Sequence, residues 1–213
     1  MTPRRLRARV LGAAGLGLLA AAWLGPLPRL SEGSFAAHMA IHMMVVGGAA
    51  PLLALAPVRG GGARAPAWTP VVAAGVELFA VWTWHTPALH TLARTSAAGL
   101  AAEQTSLLGA SLALWTAALG AARRGGGRSA GALTGAGSLI FTGLQMVLLG
   151  ASIAVAPTLL CRTPTEGPTL LGLDPLRDQQ AGAAAMIVVG GAVHLAGGLA
   201  LVGGARRGRE ARP

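Results

Sequence analysis

A chain of 213 residues with 53% hydrophobic and only 11% charged residues, and a mean hydropathy of +0.59, does not fit a water-soluble domain. Such domains usually carry about 25% charged residues, and burying so few charges would leave a large apolar surface in water. The net charge of +10 does not mark a nucleic-acid binder either, because the basic residues stand in short runs between apolar segments, without the aromatic interleaving that reads bases or phosphates. All 17 basic residues are arginine, and a lone Cys161 excludes an intrachain disulfide.

A bilayer core needs roughly 20 apolar residues per helix. The sequence therefore predicts an all-α, polytopic membrane bundle of about six transmembrane helices. The first, Val10 to Leu27, follows an arginine-rich start and resembles a signal peptide. Its Gly25-Pro26-Leu27-Pro28 end lacks a small-x-small cleavage site, so it is read as a retained span. The others run Phe35 to Val58, Trp68 to His85, Gly99 to Ala122, Gly131 to Leu160 and Gln180 to Gly204. Residues 10–204 form the bundle, flanked by a basic N-terminus (1–9) and a basic tail (205–213). Abundant Gly and Ala favour close helix–helix approach in lipid. Trp23, Trp68, Trp82, Trp84 and Trp115 mostly fall near span ends, as interfacial belts do.

Thirteen of the 17 arginines fall on one side. They are Arg4, Arg5, Arg7 and Arg9, then Arg59 and Arg64, then Arg123, Arg124 and Arg128, and finally Arg206, Arg207, Arg209 and Arg212. Arg29, Arg94, Arg162 and Arg177 fall on the other. The positive-inside rule then places both termini in the cytoplasm, of a bacterial plasma membrane.

With that topology, most reactive side chains share the outer face. FAAHMAIHMM opens the second span with His38 and His42 at i, i+4, on one helix face, and Met39 and Met43 repeat the spacing beside them. His85 and His90 lie at the outer end of the third span, Glu103 starts the fourth, Cys161 follows the fifth and Asp178 precedes the sixth. Ionisable groups at such depths are usually functional, and imidazole with sulfur ligands suits copper, sulfur favouring Cu(I). Blander readings stand beside this one: headgroup-zone histidines, packing methionines, and a His90 that follows Pro87 in a loop and is solvated unless recruited. His194, in the inner half, is expected to make a helix-packing hydrogen bond, and Glu77, mid-span, needs a partner or stays neutral. No nucleophile–base pair, Walker loop or dinucleotide fingerprint appears, so no enzyme is expected; GGGAR and RRGGGR are flexible basic loops.

Three stretches, HMAIHMMVVGGAAPLLALAPV, WHTPALHTLARTSAAGLAAEQTSLLGASLALW, and GASIAVAPTLLCRTPT through LGLDPLRDQQAGAAAM, together resemble the polytopic CtaG family of cytochrome c oxidase assembly factors, over about residues 35–190. They look like that family's H-M-x-x-H start with its P-L-L segment, its W-H-x-P stretch followed by an E-H pair, and its D-Q-Q-x-A-G element. Glu103-Gln104 stands where the family has E-H, Ile187 where a tryptophan often follows the methionine, and longer relatives tend to have seven spans. The resemblance implies a role in maturing a heme-copper oxidase, with copper delivery to it.

The leading expectation is thus a non-enzymatic assembly factor that holds copper, as Cu(I), at the outer face. Its expected ligands are His38, His42, His85 and Met39, with Asp178 as a ligand or as the acceptor of a histidine ring N–H. The partners implied are heme-copper oxidase subunits and membrane lipid; a homo-oligomer is left open and nucleic acid is not expected. A b-type heme protein, a copper permease and a metal-free scaffold are the alternatives.

Overall fold

The computed structural model describes residues 2–56, 66–123, 128–163, 165 and 169–210, and among them every regular element is helical. Helix α1 spans Pro3–Leu24 and the short α2 Leu27–Ser31. Helix α3 is Phe35–Leu55, α4 Thr69–Trp84, α5 Pro87–Thr95, α6 Ala97–Arg123 and α7 Arg128–Ala154. Helix α8 runs Pro175–Ala185, passes a π turn at Met186–Gly190 and continues as Gly191–Glu210.

Five of these helices (α1, α3, α6, α7 and α8) are long and apolar enough to cross a membrane. The third expected span, α4, has 16 residues, about 24 Å at 1.5 Å per residue, against a core of about 30 Å. The apolar surface points outward, as lipid requires: Phe79, Leu144 and Val188 are all more than 60% exposed. The chain is a polytopic helical membrane bundle.

Several boundaries differ from the expected ones, each for a local reason. Helix α1 already starts at Pro3, so Arg4 to Arg9 ride on it. Helix α7 stops at Ala154 instead of Leu160, because Pro157 lacks an N–H and pushes Ala156 out of the helical region. Helix α8 starts at Pro175, before Gln180: Asp174 caps it by accepting from Arg177 N at 3.1 Å, and Pro175 fits the first helical position. Its helical course also takes in residues 205–210 of the expected tail. Arg59, Arg64, Arg124 and Arg212 lie outside the described residues. Within α3 the backbone widens into a π turn over Met43–Ala49, immediately before Pro51. A proline ring clashes with the carbonyl four residues back, and the wider turn relieves it: Ala50 N bonds Val45 O, five residues back.

Close approach between helices relies on bare Cα atoms. A Cβ on Gly135 of α7 would stand 2.7 Å from the backbone oxygen of Ala118 on α6, and one on Gly131 2.4 Å from that of Ala121. The i, i+4 glycine pair thus seats α7 directly on the α6 backbone. Helices α4 and α5 both pack on α6, α1 covers α3, and the first half of α8 packs on the first half of α3.

Candidate metal centre

One end of the bundle is where α3, α6 and α8 begin and α4 and α7 stop. The D-Q-Q segment fixes this end. Asp178 reaches across to α3, where its Oδ1 accepts from Ser34 Oγ at 2.8 Å and its Oδ2 from Phe35 N at 2.6 Å and Ala36 N at 3.2 Å. Ser34 Oγ in turn accepts from Ala37 N at 3.1 Å, and Ser34 O from His38 N at 3.2 Å. The N–H groups of Phe35, Ala36 and Ala37, which a helix start leaves without an internal partner, are therefore satisfied, and the bond from His38 N to Ser34 O begins the helical ladder. Gln179 clamps the chain leaving α7: its Oε1 accepts from Leu160 N at 2.8 Å and Cys161 N at 3.1 Å, while its Nε2 donates to Ile153 O and Thr158 O, each at 3.4 Å. Gln180 is exposed.

One turn below that cap, α3 turns His38 and His42 into the bundle, 1% and 3% exposed. Glu103 of α6, fully buried, meets both: Oε1 lies 3.4 Å from His38 Nε2 and Oε2 3.5 Å from His42 Nε2. One ligand atom from each of these three residues falls within 4.8 Å of the others, a spacing that could hold a metal ion. Gln104 flanks them, donating to Glu103 Oε2 at 3.2 Å, with its Nε2 3.5 Å from His42 Nε2 and its Oε1 accepting from Trp23 Nε1 at 2.9 Å.

Two more imidazoles complete the cluster. His85 caps the end of α4, and its Nδ1 faces Val81 O at 2.7 Å. A carbonyl only accepts, so Nδ1 carries the proton and Nε2, buried and unpartnered, keeps a free lone pair. Its ring lies 5.9 Å from that of His42. His90 was expected in a solvated loop; it is instead 2% exposed on α5, its ring 5.3 Å from His38. Pro87 starts this helix rather than breaking the chain, and the bare Cα of Gly99 lies against the Leu92 carbonyl, folding α5 back onto α6. Burial, with His85 next in effect, pushes the His90 imidazole down to about 4, leaving it neutral at physiological pH. Arg94, also on α5, donates to Ser31 O and to Ser31 Oγ at 3.2 Å, and its Nη1 lies 3.3 Å from His38 Nδ1.

The expected ligands thus divide. His38 and His42 converge with Glu103, and His85 adjoins them. Met39 is fully buried elsewhere, its Cγ 3.0 Å from where a Gly182 side chain would begin on α8. Asp178 accepts from Ser34, Phe35 and Ala36 rather than from an imidazole. Cys161, 3% exposed, lines a cavity of about 530 Å³ with Phe35, Arg162 and Asp178, and burial pushes its thiol up to about 11. Phe35 stands between that cavity and the cluster, its ring 5.8 Å from His90 and 6.3 Å from His38. His194 bonds Gly190 O within its own helix at 2.8 Å and stacks 5.5 Å from Trp115. Trp115 is therefore a core residue, 4% exposed, not part of an interfacial belt.

Among the described residues, three buried imidazole nitrogens at this end have no hydrogen-bond partner, Nε2 of His85 and both ring nitrogens of His90, while His38 Nε2 and Glu103 Oε1 face only each other, at 3.4 Å. Buried polar atoms almost always have a partner. Imidazole nitrogens and a carboxylate at this spacing are a donor set that could hold a late first-row transition ion.

The fold is that of a polytopic helical membrane protein, with a buried histidine–carboxylate cluster at one end. The chain matches the cytochrome c oxidase caa3 assembly factor family, Caa3_CtaG, over residues 4–207, and it belongs to that family. No curated protein and no solved structure matches it.

Proposed function

We propose that the protein binds copper at the His38–His42–Glu103 cluster and passes it to a heme-copper oxidase during assembly. The observation that carries this reading is the open set of buried nitrogen and carboxylate donors, in a family whose members serve cytochrome c oxidase assembly. Copper is cargo here, and the role is not catalytic. A heme is the poorer fit, because the four rings stand 4.3 to 5.9 Å from their neighbours, with no gap in which a porphyrin could lie.

The test is metal analysis of the purified protein, with an optical spectrum, for the unaltered chain and for a variant with both His38→Ala and His42→Ala. The unaltered chain is expected to retain copper without a Soret band. The double variant should insert normally, bind no copper, and leave its cells short of assembled oxidase. Copper retained at the unaltered level would remove these histidines from the site.

We further infer that the histidine end faces the extracytoplasmic side, supported by the arginine excess at the opposite end and the reluctance of basic loops to translocate. Reporter fusions at Gly126 and Gly167 are expected to report from opposite sides, with Gly126 cytoplasmic. Signals from one side for both would end this topology.

A further inference from the structure

We propose that Glu77 is a proton-binding site in the core of the bundle, an uncharged carboxylic acid that turns its O–H toward Ser111. The site lies a layer below the histidine cluster and is independent of the copper reading. Glu77 stands midway along α4, about 12 Å along the helix from His85 at 1.5 Å per residue. It is fully buried, and neither carboxyl oxygen has a hydrogen-bond partner among the described residues. Helices α5, α6 and α7 all contact α4. Their charged and titratable residues are His90 and Arg94 on α5, Glu103 and Arg123 on α6, and Arg128 on α7. Among the described residues, none of these forms an ion pair with Glu77. An ionised carboxylate buried without a partner is far more costly than the neutral acid.

The neighbouring hydroxyl selects the same form. Ser111 of α6 is fully buried beside the Glu77 carboxyl, and its Oγ donates to Val46 O at 3.3 Å. That carbonyl needs a donor from outside α3. In the π turn, Ala50 N already bonds Val45 O, and the next donor in the ladder would be residue 51, a proline without an N–H. A hydroxyl has one proton to give, so with that proton on Val46 O, Ser111 turns only lone pairs to Glu77. A carboxylate likewise offers only lone pairs, and two acceptors meet only with a proton between them. The acid form supplies it. The resulting chain runs from the Glu77 O–H through Ser111 Oγ to Val46 O and joins α4, α6 and α3. Ionisable side chains buried in a membrane bundle are the parts from which proton relays are built.

The experiment is infrared spectroscopy of the full chain at neutral pH in an ester-free detergent, repeated for Glu77→Gln and for Ser111→Ala, with helical circular dichroism as the folding check. The unaltered chain is expected to show the carbonyl stretch of a protonated carboxylic acid, and Glu77→Gln to lose it. In Ser111→Ala the band should remain and move to higher frequency, because its hydrogen bond is gone. A band absent from the unaltered chain, left in place by Glu77→Gln, or unmoved in Ser111→Ala overturns the proposal. Gln replaces one uncharged group by another of almost the same shape, so that variant should fold. If either variant does not, modification of the unaltered chain by dicyclohexylcarbodiimide decides. This reagent adds the O–H of a protonated acid across one of its C=N bonds; the proton goes to nitrogen, the carboxyl oxygen bonds to carbon, and nothing leaves. An adduct at Glu77, located by peptide mass, supports the proposal, and an unmodified Glu77 overturns it.

Discussion

Asp178→Asn is expected to destabilise the folded bundle by on the order of 3 kcal/mol, read as the shift in its unfolding transition in detergent. The carboxylate accepts three hydrogen bonds at the start of α3, two of them from backbone N–H groups. Hydrogen bonds to a charged group contribute about 1.5–3 kcal/mol each, and negative charge at a helix N-terminus adds to that. Asn keeps one acceptor oxygen and turns an NH2 group toward donors that cannot receive it. Asp174→Asn is the control: Asp174 caps α8 at the exposed surface, where a cap of the same type should change stability by well under 1 kcal/mol, since Asn caps nearly as well as Asp. Copper bound by Asp178→Asn should fall in proportion to the folded fraction and no further. A fully folded variant with weakened copper affinity would instead put Asp178 at the histidines.

The class of fold was legible because lipid leaves a compositional trace that needs no tertiary knowledge. Runs of apolar residues near 20 long, interrupted by arginines, locate the membrane helices within a few residues, and the exceptions sit at prolines. Pro157 shortens α7, and Pro87 begins a helix where a loop was expected. The helical period alone put His38 and His42 on one face. What it could not supply was the partner face. Met39 shares the local spacing, yet its side chain points at Gly182 of α8, a contact 143 residues away in sequence. His90 and Glu103 enter the cluster because α5 folds back over Gly99, and nothing in the local pattern announces that turn. Glu103 did carry a signal, a charged residue inside an otherwise apolar segment. Asp178 was legible as important but not in its role, since its distinctive motif fits a helix cap in trans as well as it fits a metal site.

Glu103→Gln is the substitution that separates a metal centre from a structural ion pair, because the two roles predict opposite results. The carboxylate is fully buried, 3.4 Å from His38 and 3.5 Å from His42, and Oε1 has no hydrogen-bond partner. Were it there to hold charged histidines in place, removing one partner of a buried pair would cost about 3–5 kcal/mol. A carboxylate kept for an incoming cation behaves differently. A buried carboxylate without its cation is costly, so Gln, of almost the same shape, should leave the metal-free unfolding transition unchanged or raise it. Copper affinity should then fall by more than about 100-fold, beyond the 10- to 100-fold loss typical of an outer partner of a ligating histidine. Arg94 strengthens that expectation. With Glu103 neutral, its guanidinium, 3.3 Å from His38 Nδ1, is left to repel a second cation at the same ring. Unfolding of the metal-free protein and Cu(I) competition, both measured on the one variant, give the two signs. A destabilised variant with unchanged copper affinity would make Glu103 a strut between α3 and α6.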